Sequence, residues 1–515
     1  MANQAPASGS AVPANRAYAL DALRGLAILA MLLSGQEPFG RVALPAWMYH
    51  GQEPPPHFEF LPGLPGITWV DLVFPTFLFC MGAAFPLALA RRLDQGVSLA
   101  RVVFSIFGRG LLLGFFALYV QAIRPYTLSD HPHTGIWLLA LLGFFLLFPV
   151  LTRLPAGWSI TTKWLTRAVG WVGVILFLAL ARYPDSSPFG PVFSLDRSDI
   201  IIVVLTNMAV FGSLIWVFTR HNLLLRLGVL GIVFALRLSN LPNPNHGWVS
   251  DLWNLSPAPW IYQCYYLQYL CIVIPGTIAG DLILKWTQAG RSPDPPPAPD
   301  KCWCAARYLT LVALMIGLVL VMLAGLETRR PTDGPADAPG VFVLNYQTWL
   351  RPWVLPATLL AFGLLMAGGW LLREPRNETE RLYQSVFRWG AYWLVLGLFF
   401  EPYEDGIKKD HPTLSYYFVT SGLASFMLIG FGIVIDRFKR QSWLQLLIAN
   451  GQNPMIAYAG INNFIIPLLC VTTAMSRLEF LERSPWLAFL RALIIIMLLA
   501  LGVGFLSRCK IFWRT

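Results

Sequence analysis

The chain carries little charge for its length. Only 13% of its 515 residues are charged, whereas an ordinary soluble domain carries about 25%. Hydrophobic residues make up 56% of the chain, and its mean hydropathy is +0.57. This shortage of charge excludes a soluble globular protein and indicates an integral, multi-pass membrane protein whose first partner is the lipid bilayer.

Acidic residues and cysteines are also few. The 38 basic and 27 acidic residues leave a net charge of +11, but no basic stretch alternates with aromatic residues, so no nucleic-acid partner is predicted. The 7 cysteines are an odd number, which argues against a disulfide framework. The pair Cys302 and Cys304 lacks the spacing of metal ligands, and we expect no metal.

Apolar runs fill most of the sequence, and each is near the length of about 20 residues that crosses a bilayer as a helix. Because lipid offers the backbone no hydrogen-bond partners, long unbroken runs of this kind exclude a barrel. The predicted fold class is all-α, a polytopic transmembrane helical bundle of about eleven to fourteen spans. The predicted spans are residues 18–37, 67–90, 99–122, 134–152, 164–181, 199–219, 222–238, 260–286, 305–326, 352–372, 383–401, 413–436, 443–472 and 486–508.

The segments between the spans suggest how the chain is divided and oriented. Residues 1–15 are small and polar, which predicts a disordered tail before an uncleaved first span. The Pro-rich residues 291–303 predict a cytoplasmic linker between two halves of the bundle, residues 16–290 and 304–515. Lys and Arg are more frequent in the loops of one side, which places the N-terminus in the cytoplasm. The loop 37–66 is then extracytoplasmic.

That outer loop carries a histidine and leads directly into a span with Asp71 at its start. Ionisable groups at a membrane boundary are costly and usually mark function. A neutral imidazole at His50 could take a proton from an attacking amine or hydroxyl, and Tyr49 and Gln52 could orient its ring. Asp71 could hold that imidazole, or it could cap its helix together with Thr68, whose spacing is that of a capping box. A plain surface histidine is the alternative for His50.

Four segments resemble the heparan-α-glucosaminide N-acetyltransferase family and its bacterial relatives. They read ALDALRGLAILAMLLSG, ITWVDLVFPTFLFCMGAAFPLAL, KKDHPTLSYYFVTSGLASF and GQNPMIAYAGINNF, and the D-L-V-F-P block is the most specific part. Members of this family are multi-span acyltransferases. The resemblance implies that an acetyl group passes from cytosolic acetyl-CoA to an amino sugar on the opposite side, with a histidine of the outer loop as the key catalytic residue. For a bacterial relative it implies the inner or plasma membrane.

Two histidines compete for that catalytic role. The family histidine usually lies closer to the aspartate of D-L-V-F-P, which favours His57, whereas the neighbours of His50 favour His50. Sequence leaves open whether the imidazole acts as general base or as transient acyl carrier. Where family members often have an asparagine at the outer end of the first span, this chain reads Ser34-Gly35-Gln36, which puts the identity of the acceptor in question.

Further polar residues extend the predicted site. Asp21 and Arg24 lie three residues apart at the inner end of the first span and could pair, and Arg24 could bind CoA phosphates or simply snorkel. Asn453 and Tyr458, near the break at Pro454, are predicted to help bind the donor, although such groups also serve as interhelical hydrogen bonds. The residues predicted to contact the acceptor are Gln52, Lys409, Tyr416, Asn462 and Asn463.

Other functional classes remain open at this point. A multi-span transporter of a small polar or sugar-like solute also uses broken helices and intramembrane polar groups, and a scaffold or sensor could have kept the fold without the chemistry. The acyl chain length is not specified, and a homodimer is allowed.

Overall fold

The computed structural model describes residues 17–38, 43–239, 247–289, 302–327 and 353–514. The predicted tail, residues 1–15, and almost all of the predicted linker, residues 291–303, lie outside the described residues. Within the described ranges the chain is helical and forms no β-strand. The predicted all-α fold class is therefore confirmed.

Within the same ranges the chain forms nineteen α-helices. They are α1 Tyr18–Ser34, α2 Trp69–Asp94, α3 Leu99–Ala122, α4 Pro125–Leu128, α5 Thr134–Leu151, α6 Ile160–Leu180, α7 Ile200–Thr219, α8 Leu223–Leu238, α9 Trp248–Trp253, α10 Leu270–Ala289, α11 Ala305–Gly325, α12 Val354–Leu371, α13 Glu378–Phe400, α14 Leu414–Gly432, α15 Gln445–Gln452, α16 Pro454–Gly460, α17 Ile466–Val471, α18 Ala474–Leu478 and α19 Pro485–Arg508.

Eleven helical segments of the described chain are long and apolar enough to cross a membrane, which agrees with the lower end of the predicted number of spans. The chain is an integral, multi-pass membrane protein. Three further predicted spans are helical but fall outside these eleven. Two of them are α1 and α8, which are short at 17 and 16 residues, and the third is α13, which carries charged residues along its first half.

The predicted span 443–472 is broken, as Pro454 indicates. Helix α15 ends at Gln452, and α16 begins at Pro454, whose missing N–H is harmless at a helix start. A π-helical segment, Ile461–Ile465, then joins α16 to α17. The N-terminal half of α1 lies beside α15.

Helix α1 packs against α15 with backbone almost touching backbone. A Cβ atom added to Gly451 would lie 1.8 Å from the carbonyl oxygen of Asp21, and one added to Gly25 would lie 1.9 Å from that of Leu447. Small residues allow this approach between membrane helices. Helix α1 also packs on α2 and α14.

Candidate functional site

The loop after α1 folds back over the start of α2 and carries His50. The hydroxyl of Thr68 donates to the Tyr49 carbonyl at 2.6 Å. The side-chain amide of Gln52 donates to the carbonyls of Leu64 at 2.8 Å and Gly66 at 3.1 Å. Gln52, predicted to contact the acceptor, is fully buried and holds the loop in shape.

The predicted capping box at the start of α2 is confirmed. The Thr68 side chain accepts from the Val70 N–H at 3.2 Å, and the Asp71 carboxylate accepts from the Thr68 N–H at 3.0 Å. The same carboxylate oxygen, Oδ2, also accepts from the Gly51 N–H at 3.0 Å. Asp71 is completely buried, and these backbone donors fix it while its second oxygen, Oδ1, faces other partners.

The ring of His50 lies between two carboxylates. Its Nδ1 is 2.7 Å from Asp71 Oδ1, and its Nε2 forms a hydrogen bond with Asp410 Oδ2. The ammonium of Lys409 lies 3.6 Å from Asp71 Oδ1. With a protonated imidazole the formal charges of these four groups cancel, which offsets much of the cost of burying them. Both aspartates orient the ring, and the backbone N–H of Gln52 lies 3.4 Å from Nδ1, whereas the side chains of Tyr49 and Gln52 bond backbone carbonyls elsewhere in the loop.

The two carboxylates change the protonation of His50. Burial alone would lower the pKa of His50, but the hydrogen bonds to Asp410 and Asp71 and the negative charge of Asp71 outweigh it and raise the pKa to about 9. Burial would raise the pKa of Asp410, but the hydrogen bond from His50 and the charge of Lys409 keep it below its usual value. At neutral pH the resting site therefore holds an imidazolium whose two nitrogens are both engaged.

The two aspartates differ in how firmly they are held. The Asp71 side chain is fully buried, whereas the Asp410 side chain is 41% exposed. An incoming ligand can displace Asp410 far more easily than Asp71. The Nε2 atom of His50 thus lies on the more accessible side of the ring, and Asp71 holds Nδ1.

His50 and Asp410 open onto a cavity of about 450 Å³. The end of α1, the start of α2, the start of α7 and Tyr269 form its other walls. His57, the rival candidate, has an exposed side chain and does not line this cavity. Of the two histidines, the structure brings His50 together with Asp71.

Sequence reasoning missed two residues of this cavity. Glu37, three residues after the end of α1, is 5% exposed, and its Oε1 has no hydrogen-bond partner among the described residues. Burial raises the pKa of Glu37 to about 8. The rule that selected Asp71, an ionisable group at a span end, applies to Glu37 as well. Asp410 stands among several charged residues of its loop, and no local signal separates it from them.

A second cavity, of about 820 Å³, lies at the opposite end of α1 and α2. Asp21 and Arg24 line it and form the predicted pair at 3.7 Å. Arg24 also donates to the Gly451 carbonyl at 3.2 Å, and Gln452 donates to Asp21 at 3.1 Å. Further residues of the lining are Arg91, Asp94, Gln95, Thr287 and Gln288.

Asn453 and Tyr458, predicted to bind the donor, do not line that second cavity. The Asn453 amide donates to the Ile511 carbonyl at 2.8 Å, and its oxygen accepts from the Trp513 N–H at 3.2 Å. The Tyr458 hydroxyl donates to the carboxylate of Asp199 at 2.9 Å. The Asn453 side chain therefore links the break between α15 and α16 to the chain after α19. The Tyr458 side chain links α16 to the residue before α7.

The remaining residues predicted to contact the acceptor are spread over several places. Lys409 lines the His50 cavity, whereas Tyr416 is buried and donates to the Asp71 carbonyl at 3.0 Å. Asn463 is buried near the Val120 carbonyl, at 3.4 Å. Asn462 lines a separate cavity of about 300 Å³ together with Arg124.

Within the part of the chain that the structure describes, no group of three or more His, Cys, Asp and Glu side chains is arranged to hold a metal ion. Residues 16–283, just over half of the chain, match the model of a family described as a domain of unknown function (DUF5009). No curated protein matches the chain. The matched region includes Glu37, His50 and Asp71, whereas Lys409 and Asp410 lie beyond it.

Proposed function

The chain belongs to the family described as a domain of unknown function (DUF5009), and we propose that it is an acetyl-CoA-dependent transmembrane acyltransferase. It moves an acetyl group from cytosolic acetyl-CoA to an extracytoplasmic amino sugar or glycan. In a bacterial cell the membrane with acetyl-CoA on one side and glycan on the other is the inner or plasma membrane.

One observation carries this proposal: the imidazole of His50 is oriented by a buried aspartate and presents its other nitrogen to a cavity. A carboxylate that holds one ring nitrogen fixes the ring and stabilises the imidazolium that forms when the other nitrogen takes a proton. Asp71 has this position, and its backbone donors keep it there. Asp410 occupies the place where an acceptor would bind and must leave it first.

The second cavity supports an entry site for the donor. Arg24 and Arg91 line it together with Asp21 and Asp94, and a guanidinium matches the oxygens of a phosphate group. The same two helices, α1 and α2, line both cavities. Between Arg24 and Ser34 the axis of α1 rises about 15 Å, so the long arm of CoA would run along α1 to bring its thioester towards His50.

The reaction then follows from ordinary acyl-transfer chemistry. The acceptor nitrogen attacks the thioester carbonyl carbon, a C–N bond forms, and the C–S bond breaks. The imidazolium of His50 first gives its Nε2 proton to water. Neutral Nε2 then takes a proton from the attacking nitrogen and returns it to the departing thiolate, which leaves as CoA. In the alternative route, neutral Nε2 attacks the thioester carbonyl carbon, the C–S bond breaks and the CoA thiolate leaves. The acceptor nitrogen then attacks the acetyl-imidazole, the bond between the acetyl group and Nε2 breaks, and the proton of the acceptor nitrogen ends on the CoA thiolate.

The test compares His50→Ala with His57→Ala in purified protein supplied with acetyl-CoA and glucosamine. Loss of a general base typically lowers a rate by about 10²–10⁴-fold, so we expect a loss of this size in His50→Ala and near-normal transfer in His57→Ala. Acetyl-CoA should raise the melting temperature of both variants, because the donor cavity is distant from either histidine.

Full transfer activity in His50→Ala would exclude the histidine mechanism. Absence of any acetyl-CoA turnover by the wild-type protein, with any amino sugar supplied, would exclude the acyltransferase.

A further inference from the structure

Arg109 lies well inside the span formed by α3 and has no partner of opposite charge. Helix α3 begins at Leu99, so Arg109 stands about 15 Å along the helix axis. Among the described residues its side chain forms no hydrogen bond and no ion pair. An ionisable residue within a membrane-spanning segment is costly and by default indicates a functional site.

A second arginine reaches the same part of α3. Arg92, at the end of α2, donates to the Ser105 hydroxyl at 2.9 Å. Ser105 and Arg109 are four residues apart in α3, and residues with this spacing are neighbours on the surface of a helix. Because helical side chains lean towards the start of their helix, Arg109 extends towards Arg92.

A third arginine comes from the segment after α19. Trp513 is buried, and its ring centre lies 6.3 Å from that of Phe116 in α3. The next residue, Arg514, donates its backbone N–H to the Leu151 carbonyl at 2.9 Å. The charges that act on Arg109 are those of Arg92 and Arg514. Both are positive, so they repel Arg109 and leave it without a counter-charge.

An anion bound here would remove this repulsion, and the surroundings indicate what carries the anion. A guanidinium group matches the oxygens of a phosphate. Basic sites between membrane helices on the cytoplasmic side bind acidic lipid headgroups. Helix α3 also presents apolar side chains to the outside of the protein, where lipid tails can pack on them: Phe104 is 80% exposed, Phe107 50% and Leu111 77%. A lipid supplies both the phosphate and the apolar chains.

We propose that Arg92, Arg109 and Arg514 bind the headgroup phosphate of an anionic phospholipid whose acyl chains lie against α3. The predicted orientation places this lipid in the cytoplasmic leaflet. The site is separate from the cavity of Asp21 and Arg24, which Arg91 lines and Arg92 does not. Such a lipid joins the end of α2, α3 and the segment after α19, so it stabilises the folded protein. It does not depend on the acetyl transfer proposed above.

The experiment uses purified, delipidated full-length protein in an uncharged detergent. Calorimetry measures its affinity for dioctanoyl phosphatidylglycerol, for dioctanoyl phosphatidylcholine and for inorganic phosphate. We expect the phosphatidylglycerol to bind about tenfold more tightly than either of the others. Arg109→Gln and Arg92→Gln should each weaken its binding by about tenfold, since a hydrogen bond to a charged group contributes about this much to affinity.

Arg101→Gln is the matched control. It removes a positive charge from an exposed position in the first turn of the same helix, and it should change the affinity by less than about twofold. Melting temperatures add a readout that a purely structural role would not give. Without lipid, Arg109→Gln should melt no lower than the wild-type protein, because it removes a repulsion. Phosphatidylglycerol should raise the melting temperature of the wild-type protein more than that of Arg109→Gln. If Arg109→Gln does not fold, Arg92→Gln carries the same comparison.

Equal affinity of the wild-type protein for the two lipids overturns the inference, and so does an unchanged affinity for phosphatidylglycerol in the Arg92 or Arg109 variant that folds. Displacement of phosphatidylglycerol by inorganic phosphate or by acetyl-CoA would assign the arginines to a soluble anion and overturn the lipid site. No measurement here uses acetyl-CoA turnover, so failure of the lipid site and failure of the proposed acyltransferase are separate results.

Discussion

The protonation of one histidine depends on residues far from it in the sequence. Asp410 lies 360 positions after His50, yet it bonds the ring nitrogen that faces the cavity. Asp71, 21 positions after His50 by residue number, bonds the other nitrogen. A sequence pattern can identify the imidazole as a candidate base, but its pKa is set by these two carboxylates.

The activity should depend on pH in a way that Asp410 controls. A general base must be neutral, and the pKa of His50 is raised to about 9. We therefore expect kcat/KM for acetyl transfer to rise with pH up to about 9 in the wild-type protein. Asp410→Asn removes one partner that raises the pKa, so its profile should reach half-maximum at a lower pH. A pH series of initial rates for both proteins measures this shift.

The stability of the folded protein should fall as pH rises over the same range. The pKa of His50 is higher in the folded protein than its ordinary value of 6.5, so its stabilising contribution is complete below pH 6.5 and is lost as pH rises through about 9. The whole contribution is on the order of 3 kcal/mol. Melting temperatures should fall across this window more in the wild-type protein than in Asp410→Asn. An identical pH dependence of rate and melting in both proteins would contradict this account of His50.

At the scale of helices, α1 matters because both cavities use it. Its N-terminal half lines the cavity of Asp21 and Arg24, and its C-terminal end lines that of His50. The position of α1 depends on the close packing of α15 against it, where Gly451 meets the backbone of Asp21. A Cβ atom added at Gly451 would meet the backbone of Asp21. Backbone atoms cannot shift without moving the helix that carries them, so the contact is costly to relieve.

Gly451→Ala should therefore destabilise the protein by about 1–3 kcal/mol, the usual cost of overpacking. It should also lower the rate of acetyl transfer, because it displaces α1 where α1 lines the cavity of Asp21 and Arg24. Thermal unfolding in detergent and initial rates measure the two effects. Gly317→Ala is the control: it lies within α11 and has open space around its Cβ position, so it should leave melting unchanged or raise it slightly. A Gly451→Ala protein as stable as this control would contradict the packing argument.

At the scale of the whole molecule, the two cavities lie at opposite ends of the same helices, which is what transfer between two membrane faces needs. The contact of His50 with Asp410 puts the loop after α1 and the loop before α14 on one face. The predicted orientation makes that face extracytoplasmic.

Labelling of intact cells with a membrane-impermeant maleimide tests this orientation. In a Cys470→Ser background, His57→Cys should react from outside, because its side chain is exposed on the outer loop. The native Cys304 and Cys509 are exposed as well but are predicted to face the cytoplasm, so they should react only after permeabilisation. The reverse labelling pattern would contradict a cytoplasmic N-terminus. The cavity of Asp21 and Arg24 would then face away from cytosolic acetyl-CoA.

Sequence by itself determined the features that depend on neighbours along the chain. Composition and run length indicate a membrane-spanning helical bundle, the spacing of Thr68 and Asp71 predicts a helix cap, and Pro454 predicts a broken helix. Each of these rests on backbone hydrogen bonding or hydropathy within a few turns. Only the tertiary structure decided which histidine meets Asp71, that Asp410 holds the same ring, and that Glu37 faces the same cavity. Those contacts join loops that meet only when the helices have packed. Local sequence patterns therefore do not predict them.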